Sequence, residues 1–235
     1  MKIGIMQPYF LPYIGYWQLL NAVDKYVIYD DVNYIKGGWI NRNRIIINDK
    51  VQWMTLRLNG ASPNKLINEI ELANDISNTE KLLRKILETY RKAPYFNQVY
   101  PIVENIVNYR NFNLAKYLEH SIRVICNYLE IRTEIIVSSD IDKNNELRAE
   151  EKVIEICKKL RGTEYYNAIG GKELYSYKNF AKNGLKLSFL KTNLIEYKQK
   201  DDNFIANLSI LDVLMWNSKE DIQSFLHMYH LEEEK

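Results

Sequence analysis

Residues 6–31 read MQPYFLPYIGYWQLLNAVDKYVIYDD, and this stretch decides the fold. The β-branched apolar run that leads into it, residues 2–7 (KIGIMQ), stops at Pro8 and predicts a buried first strand. Pro8 and Pro12 bracket Tyr9-Phe10-Leu11 and disfavour helix at the residue before each proline, which gives a short aromatic loop. From Ile14 the apolar positions Ile14, Trp17, Leu20 and Val23, joined by Leu19, share one helical face that closes at Asp24-Lys25. Residues 26–29 (YVIY) predict a second strand. Strand, helix and strand make a βαβ unit with a right-handed crossover, so the two strands run parallel. Loop 8–16 and Asp30-Asp31 then share the carboxyl edge of one sheet, where ligands of open α/β sheets bind.

Beyond this unit, loop 32–44 (VNYIKGGWINRNR) carries a Gly-Gly pair, three cationic side chains, a tryptophan and three asparagines. Residues 44–47 and 51–58 flank the polar turn Asn48-Asp49-Lys50 and predict a β-hairpin, and 60–65 (GASPNK) predict another turn. Helices are expected at 79–92, capped by Ser77 or Asn78 and ended by Pro94, then at 99–108 and 114–129. Residues 76–130 thus read as a helical insertion within a single α/β domain, 1–235. Strand, helix and strand recur at 134–138, 146–160 and 163–167, with Ala168-Ile169-Gly170-Gly171 at the last carboxyl end. A helix at 173–183 stopped by Gly184, a closing strand at 185–190, one or two helices within 208–231 and a solvated EEEK end complete the chain. The expected fold is α/β and Rossmann-like, with a parallel sheet, flanking helices, a β-hairpin and the insertion; the turn Tyr13-Ile14-Gly15-Tyr16 resembles that of nucleotidylyltransferases, which implies the HUP/nucleotidylyltransferase kind.

At 46% hydrophobic and 26% charged, with a net charge of +2, the sequence gives no electrostatic reason to expect nucleic acid or an anionic membrane as partner. Cys126 and Cys157 lie in apolar helical patterns, which favours buried reduced thiols over a disulfide. The N-terminus lacks an uninterrupted apolar stretch of the signal-peptide type, and no apolar run approaches the ~20 residues that span a bilayer. A cytoplasmic location without membrane insertion is expected. His120, His227 and His230 form no metal-ligand spacing with the cysteines, so no zinc site is expected and no residue is assigned as a metal ligand on that ground, and no Gly-x-Ser-x-Gly elbow is present.

Candidate ligand-binding residues cluster around the opening unit. Lys36, Arg42 and Arg44 could clamp a diphosphate by charge-assisted hydrogen bonds, or form a solvated loop and hairpin edge. Asp30 and Asp31, the catalytic candidates, could hold Mg²⁺, accept a sugar hydroxyl or act as a general base toward an amino sugar; alternatively one caps the loop while the other pairs with Lys36 or Arg42. Gln7 could bind a base or carbonyl, or satisfy backbone. Tyr9, Tyr13, Tyr16 and Trp39 could form a stacking surface, whereas Trp17 belongs to the helix's core face. Asn41 and Asn43 could recognise hydroxyls or stabilise turns. Asn167, Gly170, Gly171 and Lys172 make a second candidate loop. ATP and Mg²⁺ stay open as cofactors, and the oligomeric state stays open as well.

The segment MQPYFLPYIGYWQLLNAVDKYVIYDDVNYIKGGWINRNRI resembles the start of the WbqC-like bacterial protein family, and the likeness continues through KAPYF (92–96), Ser138-Ser139, NAIGGKELY (167–175) and LSILDVLMWN (208–217). It covers essentially the whole chain. The resemblance implies a part in surface-polysaccharide biosynthesis, O-antigen (lipopolysaccharide) and capsule among its settings. A nucleotide or nucleotide sugar is then the implied partner; the residue cluster taken together with this resemblance gives a transferase acylating or aminoacylating an amino sugar as the expected activity, since positioning a donor beside an amine needs no covalent nucleophile. A noncatalytic nucleotide-sugar-binding or assembly protein of a glycan pathway is the alternative.

A second, partial likeness is to the His-x-Gly-His turn of nucleotidylyltransferases and pantothenate synthetases, at Tyr13-Ile14-Gly15-Tyr16. Gly15 keeps the close approach and the helix start still favours an anion. Tyrosine at both histidine positions removes one source of phosphate charge stabilisation.

Overall fold

The computed structural model describes residues 1–48, 50–200 and 203–234. The predicted βαβ unit is its centre: β1 (Lys2–Met6), α1 (Ile14–Ala22) and β2 (Lys25–Ile28), with Ile3 opposite Lys25 and Met6 opposite Ile28 in a parallel ladder. Side chains alternate across a strand, so Ile3 and Ile5 leave one face of β1 and Gly4 and Met6 the other. Helix α1 crosses over Gly4, where a Cβ would meet Val23 and Tyr26 at 3.3 Å.

After β2 come the hairpin β3 (Arg42–Ile47) and β4 (Lys50–Thr55), then the short antiparallel pair β5 (Leu58–Asn59) and β6 (Glu71–Leu72). Helices α2 (Ile76–Tyr90), α3 (Phe96–Val107) and α4 (Leu114–Leu129) precede β7 (Glu134–Val137), which pairs parallel with β2. The chain continues through α5 (Ala149–Lys159), β8 (Glu164–Ala168), α6 (Tyr177–Lys182), β9 (Lys186–Thr192), α7 (Ile210–Trp216), α8 (Lys219–Phe225) and β10 (Tyr229–Glu232). The central sheet has the order β10-β9-β8-β1-β2-β7, parallel except for β10. Strands β1, β2 and β7 step one way and β8 and β9 the other, so the order reverses between β1 and β8. The carboxyl ends at such a reversal are the crevice of a Rossmann-like sheet.

Both faces of the sheet are covered. Tyr26, Ile28, Tyr166 and Leu190 join α1, α2, α3, α4, α7 and α8 in one continuous core. On the opposite face Ile3, Ile5, Val27, Tyr165, Leu187 and Phe189 pack with Val153, Ile156 and Phe180 of α5 and α6. Strands buried on both sides explain why these segments read as nearly unbroken apolar runs. Both cysteines are buried and free, and burial pushes each thiol up to about 12.

Several boundaries differ from the sequence expectation for local reasons. Helix α2 starts at Ile76 because the Asp75 carboxylate, not Ser77 or Asn78, caps it by accepting from the Asn78 N–H at 3.0 Å. Residues 146–148 stay outside α5 because Asn144 Oδ1 accepts from the Glu146 N–H in a local turn. Residues 169–174 form a tight 3₁₀ turn rather than the start of a helix. The edge strand β10 was not expected; Gln18 of α1 holds its approach by donating to the carbonyls of Phe225 and Met228 at 2.7 and 3.0 Å. The acidic end is correspondingly engaged, with Glu232 paired to Lys172 and Lys191 and Glu233 to Lys186. Asp49 of the predicted hairpin turn and Lys235 of the terminal EEEK lie outside the described residues.

Candidate functional site

The aromatic loop after β1 is held in a conformation it would not adopt alone. Leu11 has φ +44°, the left-handed region that costs a non-glycine residue about 1–3 kcal/mol. Its carbonyl accepts from Asn43 Nδ2 at 2.9 Å and from Ser209 Oγ at 2.8 Å, and Asn43 Nδ2 also reaches the Phe10 carbonyl at 3.2 Å. The Trp17 indole N–H donates to the Pro12 carbonyl at 3.1 Å. These buried donors come from β3, from the start of α7 and from α1, so three separate elements fix the loop.

Loop and strand ends enclose a cavity of about 480 Å³ on the carboxyl side of the β1/β8 reversal. Tyr9, Pro12 and Tyr13 supply one wall, Trp39 and Arg44 another, and Ile169, Lys191 and Thr192 a third, with Asn43 and Asn207 between. Its size is ordinary for a small-molecule site. A larger open depression of about 570 Å³ lies over Pro101 and Val124, but it shares no lining residue with this cavity and is lined mainly by apolar surface.

The charge of the cavity lining is one-signed: Arg44 and Lys191 are its only ionised residues among those described. Arg44 is fixed by donating from Nη2 to the Asn207 carbonyl at 3.3 Å and by lying 5.3 Å from the Trp39 ring centre, while its buried Nε has no partner among the described residues. Lys191 is half exposed and shares Glu232 at 3.4 Å. Burial pushes the Tyr9 and Tyr13 phenols above their ordinary value, so both stay protonated donors near neutrality. The amino end of α1 borders the cavity; Tyr13 offers no side-chain cap and its carbonyl takes the Tyr16 N–H at 3.1 Å, which leaves the Ile14 and Gly15 N–H groups without a capping acceptor among the described residues. A cation, phenols, an indole and a helix start suit an anion attached to a flat or ring-shaped group.

Gly15 makes the close approach possible. A Cβ there would lie 2.5 Å from both Thr192 Oγ1 and the Tyr13 ring. Sequence reasoning gives Gly15 this role for a ligand; the structure shows the approach is to Thr192 of β9 and to Tyr13, two cavity walls.

Of the other expected residues, Tyr9, Tyr13, Trp39 and Arg44 come together at the cavity and Tyr16 does not. Tyr16 is buried, packs edge-on against Trp17 and Tyr26, and donates from its hydroxyl to the Gln7 carbonyl at 3.2 Å. It is a core residue because α1 turns that face onto β2, so the second position of the His-x-Gly-His comparison has no ligand to meet. Gln7 is half-buried beneath it and does not line the cavity. Asn41 is taken up by the Tyr34 hydroxyl and the Leu56 carbonyl at 2.8 and 2.9 Å. Arg42 turns back on its own loop, donating to the carbonyls of Gly37 and Gly38 and covering the Trp53 ring at 4.1 Å. Lys36 is exposed outside the cavity.

Asp30 and Asp31 stand at the carboxyl edge as expected, but protein groups engage both carboxylates. Asp30 accepts from the Ser139 N–H and hydroxyl at 2.9 and 2.7 Å and from Asn68 at 3.3 Å, which ties β2 to the turn after β7. Asp31 lies 2.8 Å from Lys143 and 3.0 Å from Lys152, whose side chains are 1% and 5% exposed. Burial alone would raise the Asp31 pKa; hydrogen bonds from Lys143, Ser138 and Lys152 outweigh it and hold the carboxyl below its ordinary value. Neither aspartate lines the cavity, and neither pairs with Lys36 or Arg42.

The second expected loop contributes Ile169 alone. Asn167 donates to the Tyr165 hydroxyl at 2.8 Å and accepts from the Ala168 N–H at 2.6 Å. Gly171 packs on that amide, Gly170 is open to solvent, and Lys172 pairs with Glu232. The sequence reading did not single out Pro12, Ile169, Lys191, Thr192 and Asn207 as ligand contacts. Placing β9 beside β8 in the parallel sheet would have pointed to Lys191 and Thr192, because both sit at its carboxyl end.

Among the described residues, no group of three or more His, Cys, Asp or Glu side chains is placed to hold a metal, and no helix is long and apolar enough to cross a membrane. Comparison with known proteins finds a relative in Mycobacterium tuberculosis, the uncharacterized protein Rv1507c, 28% identical over 218 residues that cover 91% of this chain and 92% of that one. No solved structure matches the chain. The model of the WbqC-like protein family matches residues 7–224, a span that runs from the loop after β1 through nearly all of α8, and the chain therefore belongs to the WbqC-like protein family.

Proposed function

We propose that this protein binds a nucleotide or nucleotide-linked sugar at the carboxyl edge of its sheet and acts in bacterial surface-polysaccharide biosynthesis. The observation that carries the reading is the one-signed cavity: Arg44 and Lys191 face it without a carboxylate among its described lining residues, beside Tyr9, Tyr13 and Trp39. A diphosphate between the two cations would gain charge-assisted hydrogen bonds, and a base or sugar ring would stack on the aromatic walls. Family membership is consistent with the glycan setting.

The reaction class that suits such a site is a transferase that acylates or aminoacylates an amino sugar. Holding an activated donor beside an amine accelerates transfer by positioning alone and needs no covalent protein intermediate. Arg44 and Lys191 would hold phosphate and Tyr9 and Tyr13 would donate to hydroxyls or a carbonyl. Asp30 and Asp31 would act at one remove, by fixing the edge that carries the site. A noncatalytic nucleotide-sugar-binding role is the second reading. It is favoured by the lack, among the described lining residues, of a side chain that would accept a proton near neutral pH.

A thermal-shift panel of nucleotides and dTDP- and UDP-amino sugars, with and without Mg²⁺ and ATP, followed by mass spectrometry of the mixture, tests both. Stabilisation by nucleotide sugars with turnover supports the transferase, and stabilisation without any consumption of donor supports the binding protein. No stabilisation by any phosphorylated member would refute the common reading.

A further inference from the structure

A second cavity of about 300 Å³ adjoins the first and shares Thr192 and Asn207 with it. The two differ in chemistry. The second has no charged lining residue among those described and is built from Ile14, Leu194, Ile195, Phe204, Leu208 and Val213 with their neighbours. Three of its polar groups are spent on the protein. The Tyr197 hydroxyl donates to Asp212 Oδ2 at 2.8 Å, Asn193 Oδ1 meets His230 Nδ1 at 2.8 Å, and the Asn207 carbonyl takes Arg44. Phe204 stands edge-on to Tyr197 at 5.4 Å, which adds a second ring to the wall.

We propose that this chamber is an apolar subsite that receives an uncharged aliphatic group, such as a short acyl chain, of the same phosphorylated ligand whose anionic part sits between Arg44 and Lys191. The inference rests on the anion-binding reading above and extends it to the class of ligand. Two observations converge on it: the two cavities share Thr192 and Asn207 as lining residues, and among the described residues charged side chains line only the first. Leu194 is 72% exposed at this chamber. An aliphatic chain entering beside it would remove that surface from water.

Titration calorimetry of the full chain with inorganic phosphate and with butyl, hexyl and octyl phosphate tests the subsite. The expected result is phosphate binding that tightens by about fourfold per buried methylene and then levels off when the chamber is full. Ala206 lines the chamber at an exposed position. Ala206→Trp should abolish the dependence on chain length and leave inorganic phosphate affinity unchanged. Leu194→Asp, a change at a solvent-facing site, should weaken the increment in the same way. Phosphate binding with no dependence on chain length in the parent would overturn the subsite while leaving the anion site standing. A dependence that survives both substitutions unchanged would also overturn it. Failure of phosphate and every alkyl phosphate to bind would overturn both readings together.

Discussion

Replacing Gly15 by alanine adds one methyl group where the structure has no room for it, and the consequences can be worked through. The new Cβ would lie 2.5 Å from Thr192 Oγ1 and from the Tyr13 ring, well inside contact distance. Backbone movement is blocked because α1 is pinned through Trp17 to Pro12 and through Gln18 to residues 225 and 228. Relief therefore comes from Tyr13 and Thr192, and both are cavity walls. Overpacking of this kind costs about 1–3 kcal/mol, of which alanine's better helix propensity returns up to about 1 kcal/mol. A net loss of about 1–2 kcal/mol corresponds to a fall in Tm of about 2–8 °C for a chain of this size. Displacement of the Tyr13 ring should weaken binding of any ligand in the cavity by more than the stability change suggests. Denaturant unfolding and calorimetric binding, measured on Gly15→Ala, Tyr13→Ala and the double variant, separate the two effects. The Gly15→Ala stability penalty should shrink in the Tyr13→Ala background, without disappearing, because Thr192 Oγ1 remains in place. A Gly15→Ala protein with parental stability and parental affinity would refute the reasoning.

Asp31→Asn should be among the most damaging isosteric changes outside the cavity, since it leaves Lys143 and Lys152 buried beside a neutral amide; urea unfolding should show a loss of about 3–5 kcal/mol, and a loss below about 1 kcal/mol would contradict the pairing. The same carboxyl has a lowered folded pKa, so its contribution is present above the unfolded value of about 3.9 and is lost as pH falls through the folded one. The parent should accordingly lose stability on acidification below about pH 4 more steeply than Asp31→Asn, and parallel curves would count against the assignment. Asn43→Ala removes buried donors from the Phe10 and Leu11 carbonyls and should cost about 1–3 kcal/mol in urea unfolding while loosening loop 8–13 to limited proteolysis; an unchanged digestion pattern would show that Ser209 and Trp17 suffice to hold it.

How much of this was legible before the structure follows from the range of each interaction. The opening βαβ unit was readable because strand and helix periodicities and two prolines are local signals, and residues 2–31 fold as that reading requires. The parallel sheet and the carboxyl edge follow from the same local pattern. Which side chains meet at that edge depends on contacts far apart in sequence. Asp30 and Asp31 read as available in the sequence, whereas Ser139, Lys143 and Lys152, more than a hundred residues later, engage their carboxylates. Tyr16 was grouped with Tyr9 and Tyr13 by spacing, yet β2 packing buries it. Lys191 and Thr192 carry no local signal because the apolar pattern of the closing strand stops at 190, whereas pairing with β10 extends the strand to Thr192. The edge strand itself has no periodic signal, being four residues long and secured by Gln18 of α1.

The most direct test of the central claim is a calorimetric titration with the best-stabilising nucleotide sugar of the parent protein, Arg44→Ala, Lys191→Ala and, as a reference at the same edge but outside the cavity, Ser139→Ala. The account predicts that each cation substitution weakens binding by at least about tenfold, since a charge-assisted hydrogen bond contributes about 1.5–3 kcal/mol, while Ser139→Ala leaves affinity near the parental value. Affinity that survives loss of both Arg44 and Lys191 but falls with Ser139 would contradict it and move the ligand to the Asp30-Asp31 edge.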